Sequence, residues 1–301
     1  MAVPIAFVCV ILIWTTTPLA VKWSAMDTGF IFAAGARMTI GTLVCLILLP
    51  VFRLKLQWHA EAIRTYLAAG LAIFGAMALV YWSALYIPSG LISVLFGLTP
   101  IMTGILAAVF LGEQSLTRHK VLGMLLGCGG LIVIFGSRGV FAGNSLQGIL
   151  LCLLSVLVHS TSAVLIKRIG STLPALVVTT GGLLVALPMY ALLWLLNGAP
   201  VPEVISFKAG VAIIYLGVVG SVFGFILYFY VLKHVEASRA ALITLMTPVL
   251  ALILGQSLNG EVISTQIWMG TGLILLGLVM YQWGKSLLRH LLVLSIRRVD
   301  D

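Results

Sequence analysis

The chain has 301 residues, 61% of them hydrophobic and only 8% charged, with a formal net charge of +9. A soluble domain carries about 25% charged residues, so a water-facing surface cannot be built from this composition. The mean hydropathy of +1.20 makes a bilayer the expected solvent, in which backbone groups are paired inside helices or a closed barrel. The apolar runs are about twice as long as the alternating ten-residue segments of a barrel, which leaves helices. The positive charge lies between apolar runs, where it reads as a topological signal and not as a nucleic-acid footprint. Cys9, Cys45, Cys128 and Cys152 all lie inside apolar segments and read as small hydrophobes, forming neither a disulfide framework nor a metal site.

Apolar runs of roughly 18 to 24 residues predict ten membrane-spanning helices. Their spans are 4–22, 28–50, 65–87, 89–111, 118–136, 146–169, 173–196, 208–232, 238–258 and 264–284. The first lacks a basic leader and is followed by many equal segments, so it is expected to be a retained helix. The tail beyond Lys285, with Arg289, Arg297 and Arg298, is expected to form a short interfacial helix. With the N-terminus inside, Lys22, Arg138 and Lys208 face outward, Arg37 lies within helix 2, and the other Lys and Arg of the 17 face inward. That bias predicts cytoplasmic N- and C-termini.

Along the chain, helix 1 carries Trp14-Thr15-Thr16-Thr17-Pro18 and then Lys22, and helix 2 carries Arg37. Tyr81, Trp82 and Tyr86 fall near the end of helix 3, where an interfacial aromatic belt is the common explanation. Helix 4 reads Ser89-Gly90, Phe96, Leu98-Thr99-Pro100 and Leu111-Gly112-Glu113; helix 9 reads Ala237-Ser238, Met246-Thr247-Pro248 and Asn259-Gly260-Glu261. Pro100 and Pro248 are 148 residues apart, as are Glu113 and Glu261. A weaker echo joins Trp14 and Lys22 of helix 1 to His159 and Lys167 of helix 6, each pair eight residues apart. Five helices per copy is an odd number, so the second copy must enter the membrane from the opposite side. Such inverted repeats are a design of secondary transporters, with the solute site near the midplane between the halves.

These motifs, with the glycines of Gly123 to Gly130 and Gly270 to Gly277, resemble the EamA-type members of the drug/metabolite transporter superfamily over nearly the whole chain. The resemblance implies an all-α integral membrane protein of ten helices in two inverted five-helix repeats, residues 1–140 and 141–288, followed by a basic cytoplasmic tail, 289–301. It implies an exporter of small organic metabolites, with amino acids or related amphipathic solutes foremost; the inverted repeat implies alternating access, and the compact form without organelle signals points to a bacterial inner membrane. A drug or lipid-precursor flippase on the same fold is the alternative. The run of three threonines after Trp14, and His159 where an aromatic residue is common, depart from the usual pattern.

Arg37 lies well below the interface, where a charge costs at least ~2.5 kcal/mol and marks a functional site by default. It is expected either to hold a substrate carboxylate or to be satisfied inside the bundle. His159 is a proton-coupling or gating candidate, or a neutral residue bonded to a neighbouring helix. Glu113 and Glu261 stand at helix ends, where fixing loop geometry is the expected role; no acid lies centrally in any helix. Pro100 and Pro248 are hinge or gating candidates because each frees a carbonyl and kinks its helix. Trp14, Thr17, Arg37, Tyr81, Phe96, His159, Phe225 and Tyr228 are the candidate substrate-binding residues. The GxxxG spacings Gly123…Gly127 and Gly220…Gly224 read as close helix packing. HExxH, GxSxG and paired intramembrane aspartates are absent, as is a channel-like filter loop. No enzymatic activity, cofactor, metal or nucleic-acid partner is expected. The expected partners are a small-molecule substrate and the lipid bilayer, with the chain a monomer or a homodimer.

Overall fold

The computed structural model of the chain describes residues 2–112, 117–136, 145–240 and 243–297, and among them all regular structure is helical. The helices are α1 (Val3–Thr28), α2 (Phe30–Val51), α3 (Ala60–Ser83), α4 (Ser89–Leu111) and α5 (Arg118–Phe135). They continue as α6 (Ser145–Ile169), α7 (Ala175–Asn197), α8 (Phe207–His234), α9 (Ile243–Asn259) and α10 (Thr265–Arg297). Seven of them, α1–α4 and α6–α8, are long and apolar enough to cross a membrane; α5 and α10 contain the shorter apolar stretches His119–Ile134 and Thr265–Tyr281. Glu113 and Arg138 lie outside the described residues.

Local chemistry explains where the helices depart from the hydropathy reading. Helix α3 begins before the expected 65, because the His59 ring accepts a hydrogen bond from Ala62 N at 3.2 Å and caps a polar first turn. Helix α1 runs past Lys22 to Gly29, whose φ of 80° favours glycine and ends the helix before α2 starts. Lys22 stays inside the helix because its ammonium donates to Ala84 O at 3.0 Å and Ile87 O at 2.8 Å, capping the end of α3. The short interfacial helix expected after Lys285 is instead continuous with α10, which spans 33 residues; no Gly or Pro follows Gly284 to stop it. Helix α4 is also not a single kinked rod. It breaks at Gly97–Leu98, and Pro100 sits in the first turn of the second segment, where its missing N–H is no loss. Pro248 is inside α9, as expected.

Helices α3 and α8 each contain a π-helical segment, Leu71–Ala76 and Leu216–Phe223. Such widened turns leave carbonyls without their usual partners, and in a membrane other side chains must meet them. Tyr190 of α7 donates to Ile73 O at 3.0 Å and Phe74 O at 3.2 Å. Ser155 of α6 donates to Ala76 O at 2.7 Å.

Close packing is carried by glycine. A Cβ built on Gly130 or Gly270 would stand 2.6 Å from the other's carbonyl oxygen, and Gly123 and Gly277 are as close. Helices α5 and α10 therefore run antiparallel with their backbones in close approach at these glycines. Gly123 and Gly270 are 147 residues apart, as are Gly130 and Gly277, so the seam is its own image when the two members of each pair are exchanged. Elsewhere, Gly70 packs on Val185 and Gly182 O, while Gly217 packs on Ile40 and Arg37 O. Gly70 and Gly217 are again 147 apart, and the residues opposing them are 145 apart.

Candidate functional site

Six helices, together with Thr247 of α9, line a cavity of about 60 Å³. Its wall is apolar and aromatic, and the charged group in it is Arg37. Trp14, Thr17 and Pro18 come from α1, Met77 and Val80 from α3, Ile92, Ser93 and Phe96 from α4, His159 from α6 and Phe225 from α8. The walls therefore draw on both halves of the chain.

Arg37 stands about two turns into α2 and is 2% exposed. Its Nε donates to Ser221 Oγ, in the π segment of α8, at 2.8 Å; Nη1 lies 4.0 Å from Met77 Sδ. The rings of Tyr81 and Phe225 flank the guanidinium at 5.9 Å each, a favourable placement for a cation over aromatic faces. Gly220 leaves room for it: a Cβ there would stand 3.2 Å from Nη2. Among the described residues no carboxylate pairs with Arg37; the ion pair recorded is Arg239 with Glu236.

The opposite wall is an aromatic cluster. Trp14 meets His159 edge-on at 5.6 Å between centroids, and Tyr228 packs on both, at 5.0 Å from Trp14 and 5.2 Å from His159. Phe96 reaches His159 at 6.0 Å. His159 is 3% exposed, and its Nδ1 has no hydrogen-bond partner. Trp14 and His159 are 145 residues apart and touch each other.

Of the eight candidate binding residues, Trp14, Thr17, Arg37, Phe96, His159 and Phe225 line this one cavity. Tyr81 and Tyr228 stand directly behind it, against Arg37 and His159. Tyr81 is fully buried and so is not a belt residue, whereas Trp82 is exposed and stacks on Phe30 at 5.7 Å. Thr17 donates to Ile13 O at 2.8 Å, so its hydroxyl hydrogen is engaged within its own helix. Pro100 and Pro248 are buried but do not line the cavity. Sequence reasoning missed Ser221, Met77, Ile92, Ser93 and Thr247. Thr247 had a signal, because it precedes Pro248 in the repeated Thr-Pro motif; Ser221 had none in the linear order.

The end where α1 finishes is tied together by polar contacts. Glu261 accepts from Ser89 N at 3.0 Å and Gly90 N at 3.3 Å, which caps the start of α4. Asn259 accepts from Trp23 Nε1 at 2.7 Å. Glu261 is 9% exposed, so its helix-end role is played in a buried setting and not near solvent.

A family model for the EamA-like transporter family matches this chain twice, over residues 1–136 and 146–282. The chain belongs to the EamA-like transporter family. Curated relatives extend over nearly the same length. The uncharacterized transporter YoaV of Bacillus subtilis is 27% identical over 92% of this chain and 96% of its own. An uncharacterized transporter of Archaeoglobus fulgidus is 29% identical over 88% and 93%. The uncharacterized inner membrane transporter YedA of Escherichia coli is 25% identical over 92% and 89%. One solved crystal structure superposes with a TM-score of 0.69 at 20% identity, covering 93% of this chain and 97% of the other, which shows a shared fold. This EamA-like protein is thus a multi-pass integral membrane transporter and not an enzyme.

Proposed function

We propose that this EamA-like protein exports a small amphipathic organic metabolite bearing a carboxylate, a class that spans amino acids and their relatives. The solute passes through the cavity between two inverted five-helix halves, and ten helices cross the membrane with both termini in the cytoplasm. The observation that carries this reading is Arg37, a buried guanidinium in an apolar cavity, without a carboxylate partner among the described residues. A charge in such a place is stabilised most by an anion that arrives from outside the fold. The aromatic wall of Trp14, Phe96 and Phe225 suits the apolar part of the same solute.

The inverted arrangement is supported by the reciprocal glycine seam of α5 and α10 and by the matching contacts of Gly70 and Gly217. Trp14 and His159 occupy equivalent places in the two halves and meet each other, which suits an axis through the cavity. Access alternates by rocking one half against the other around that axis. The export direction follows the family resemblance. Ten helices can enclose a path alone, so the working unit is a monomer in this reading.

The test is uptake of labelled amino acids and related carboxylates into proteoliposomes, with and without an imposed pH gradient. Saturable uptake of one carboxylate class, competed by its unlabelled form, is the expected result. Flux that rises linearly with concentration would point to a channel and overturn the reading. A strict requirement for the gradient would bring His159 in as the proton-coupling group, since the cavity wall has no acid.

A further inference from the structure

The charge balance of the cavity narrows the solute class. The chain has eight acidic residues: Asp27, Glu61, Glu113, Glu203, Glu236, Glu261, Asp300 and Asp301. None of those among the described residues lines the cavity, and several have other work. Glu261 holds the amides of Ser89 and Gly90, Asp27 accepts from Ser206 N at 3.0 Å, and Glu236 pairs with Arg239.

A solute ammonium entering this space would add a second positive charge to one already buried, with no carboxylate to meet it. Burying an unpaired charge is strongly unfavourable, and like charges in low dielectric raise that cost. Backbone oxygens are the other natural ligands for an ammonium, and broken helices often supply them. Here Phe96 O, at the break of α4, accepts from Thr99 Oγ1 at 2.5 Å. On α1, Ile11 O and Ile13 O accept from Thr15 and from Thr16 and Thr17; Trp14 O, which Pro18 leaves without its N–H partner, is a single acceptor against the three donors of an ammonium.

The two halves differ where it matters. Gly182 stands in the second half where Arg37 stands in the first, as their matching contacts with Gly70 and Gly217 show. The cavity therefore has one cationic pole and not two. In the aromatic cluster of the wall, His159 Nδ1 has no hydrogen-bond partner.

We propose that the cavity selects monocarboxylates whose amine is absent or masked, such as aromatic or branched 2-oxo acids and N-acyl amino acids. The carboxylate sits on Arg37, the apolar body lies against Trp14, Phe96 and Phe225, and His159 meets an uncharged oxygen or N–H of the solute. This inference rests on the reading of the cavity as the transport site, and the test separates the two.

Three probes share a phenyl ring and differ in charge: phenylpyruvate, phenylalanine and 2-phenylethylamine. Their binding to the full-length protein in nanodiscs is measured by calorimetry against empty nanodiscs, for the wild type, Arg37→Gln and Arg37→Lys. The expected order is phenylpyruvate at least tenfold tighter than phenylalanine, with no heat from the amine. Arg37→Gln removes the preference, and Arg37→Lys keeps part of it, which also shows that the variants are folded. Phenylalanine binding as tightly as phenylpyruvate, in an Arg37-dependent way, would overturn the charge selection and leave the site standing. Binding of all three that ignores both substitutions, or no saturable binding at all, would overturn the site itself and the selection with it.

Discussion

Arg37 concentrates the argument at the scale of single residues. Its burial is met by one oxygen, Ser221 Oγ, and by two aromatic faces, which is less than a buried guanidinium with five donors requires. Arg37→Gln is expected to lower solute flux at least tenfold while the protein still inserts and purifies as a monodisperse species. Normal flux in that variant would assign the arginine to the fold alone. His159→Gln opens the contact with Trp14 and Tyr228, so it is expected to raise the KM for the solute with little change in melting temperature. An unchanged KM would remove His159 from the binding wall. Both residues were legible in the sequence, because a charge or an imidazole within an apolar run needs a reason. Ser221 was not: it lies 184 residues from Arg37, and a serine between glycines in an apolar helix gives no sign of its partner. Tyr81 was misplaced toward the interface because distance along a helix does not show how the neighbouring helices cover it.

Helices in a bilayer are apolar on both faces, so the hydropathy that locates them does not say which face meets lipid and which meets protein. Glycine spacing carries that information instead. At Gly130 and Gly277 any side chain would strike the backbone of the opposing helix, whereas Gly129 has open space beside it. Gly130→Leu or Gly277→Leu is therefore expected to lower the melting temperature by several degrees or to abolish assembly, and Gly129→Ala to change it little. Thermal unfolding followed by size-exclusion chromatography reads both, and equal tolerance at Gly129 and Gly130 would contradict the seam. The π segments belong to the same scale. Tyr190→Phe strips the donor from Ile73 O and Phe74 O, at a cost of about 0.6 to 1.7 kcal/mol by the range for interhelical bonds in membranes. No sequence rule foretold the π segment of α3, which depends on donors from elsewhere, Tyr190 and Ser155; the break of α4 at Gly97–Leu98 lies beside Pro100, where a kink is expected. The end of α10 was misjudged for a simpler reason: a change from apolar to basic composition was taken for a boundary, although nothing there breaks a helix.

For the molecule as a whole, the most informative sequence feature was the recurrence of Thr-Pro and Glu at a spacing of 148 residues, and the contacts between glycines agree with it at 145 and 147. The differences are one to three residues, the size of loop-length changes between copies. What the recurrence hid was the asymmetry within it, an arginine in one half facing a glycine in the other, because conserved spacing does not reveal which copy carries the charge. An account with a single polar pole between two inverted halves requires that the cavity open to each side in turn. The direct measurement uses Thr17→Cys, in a background with Cys9, Cys45, Cys128 and Cys152 replaced, and a membrane-impermeant thiol reagent applied to vesicles of either orientation. The account predicts labelling from both faces, slowed from both by a saturating carboxylate solute. Labelling from one face alone, or from neither, would contradict alternating access through this cavity.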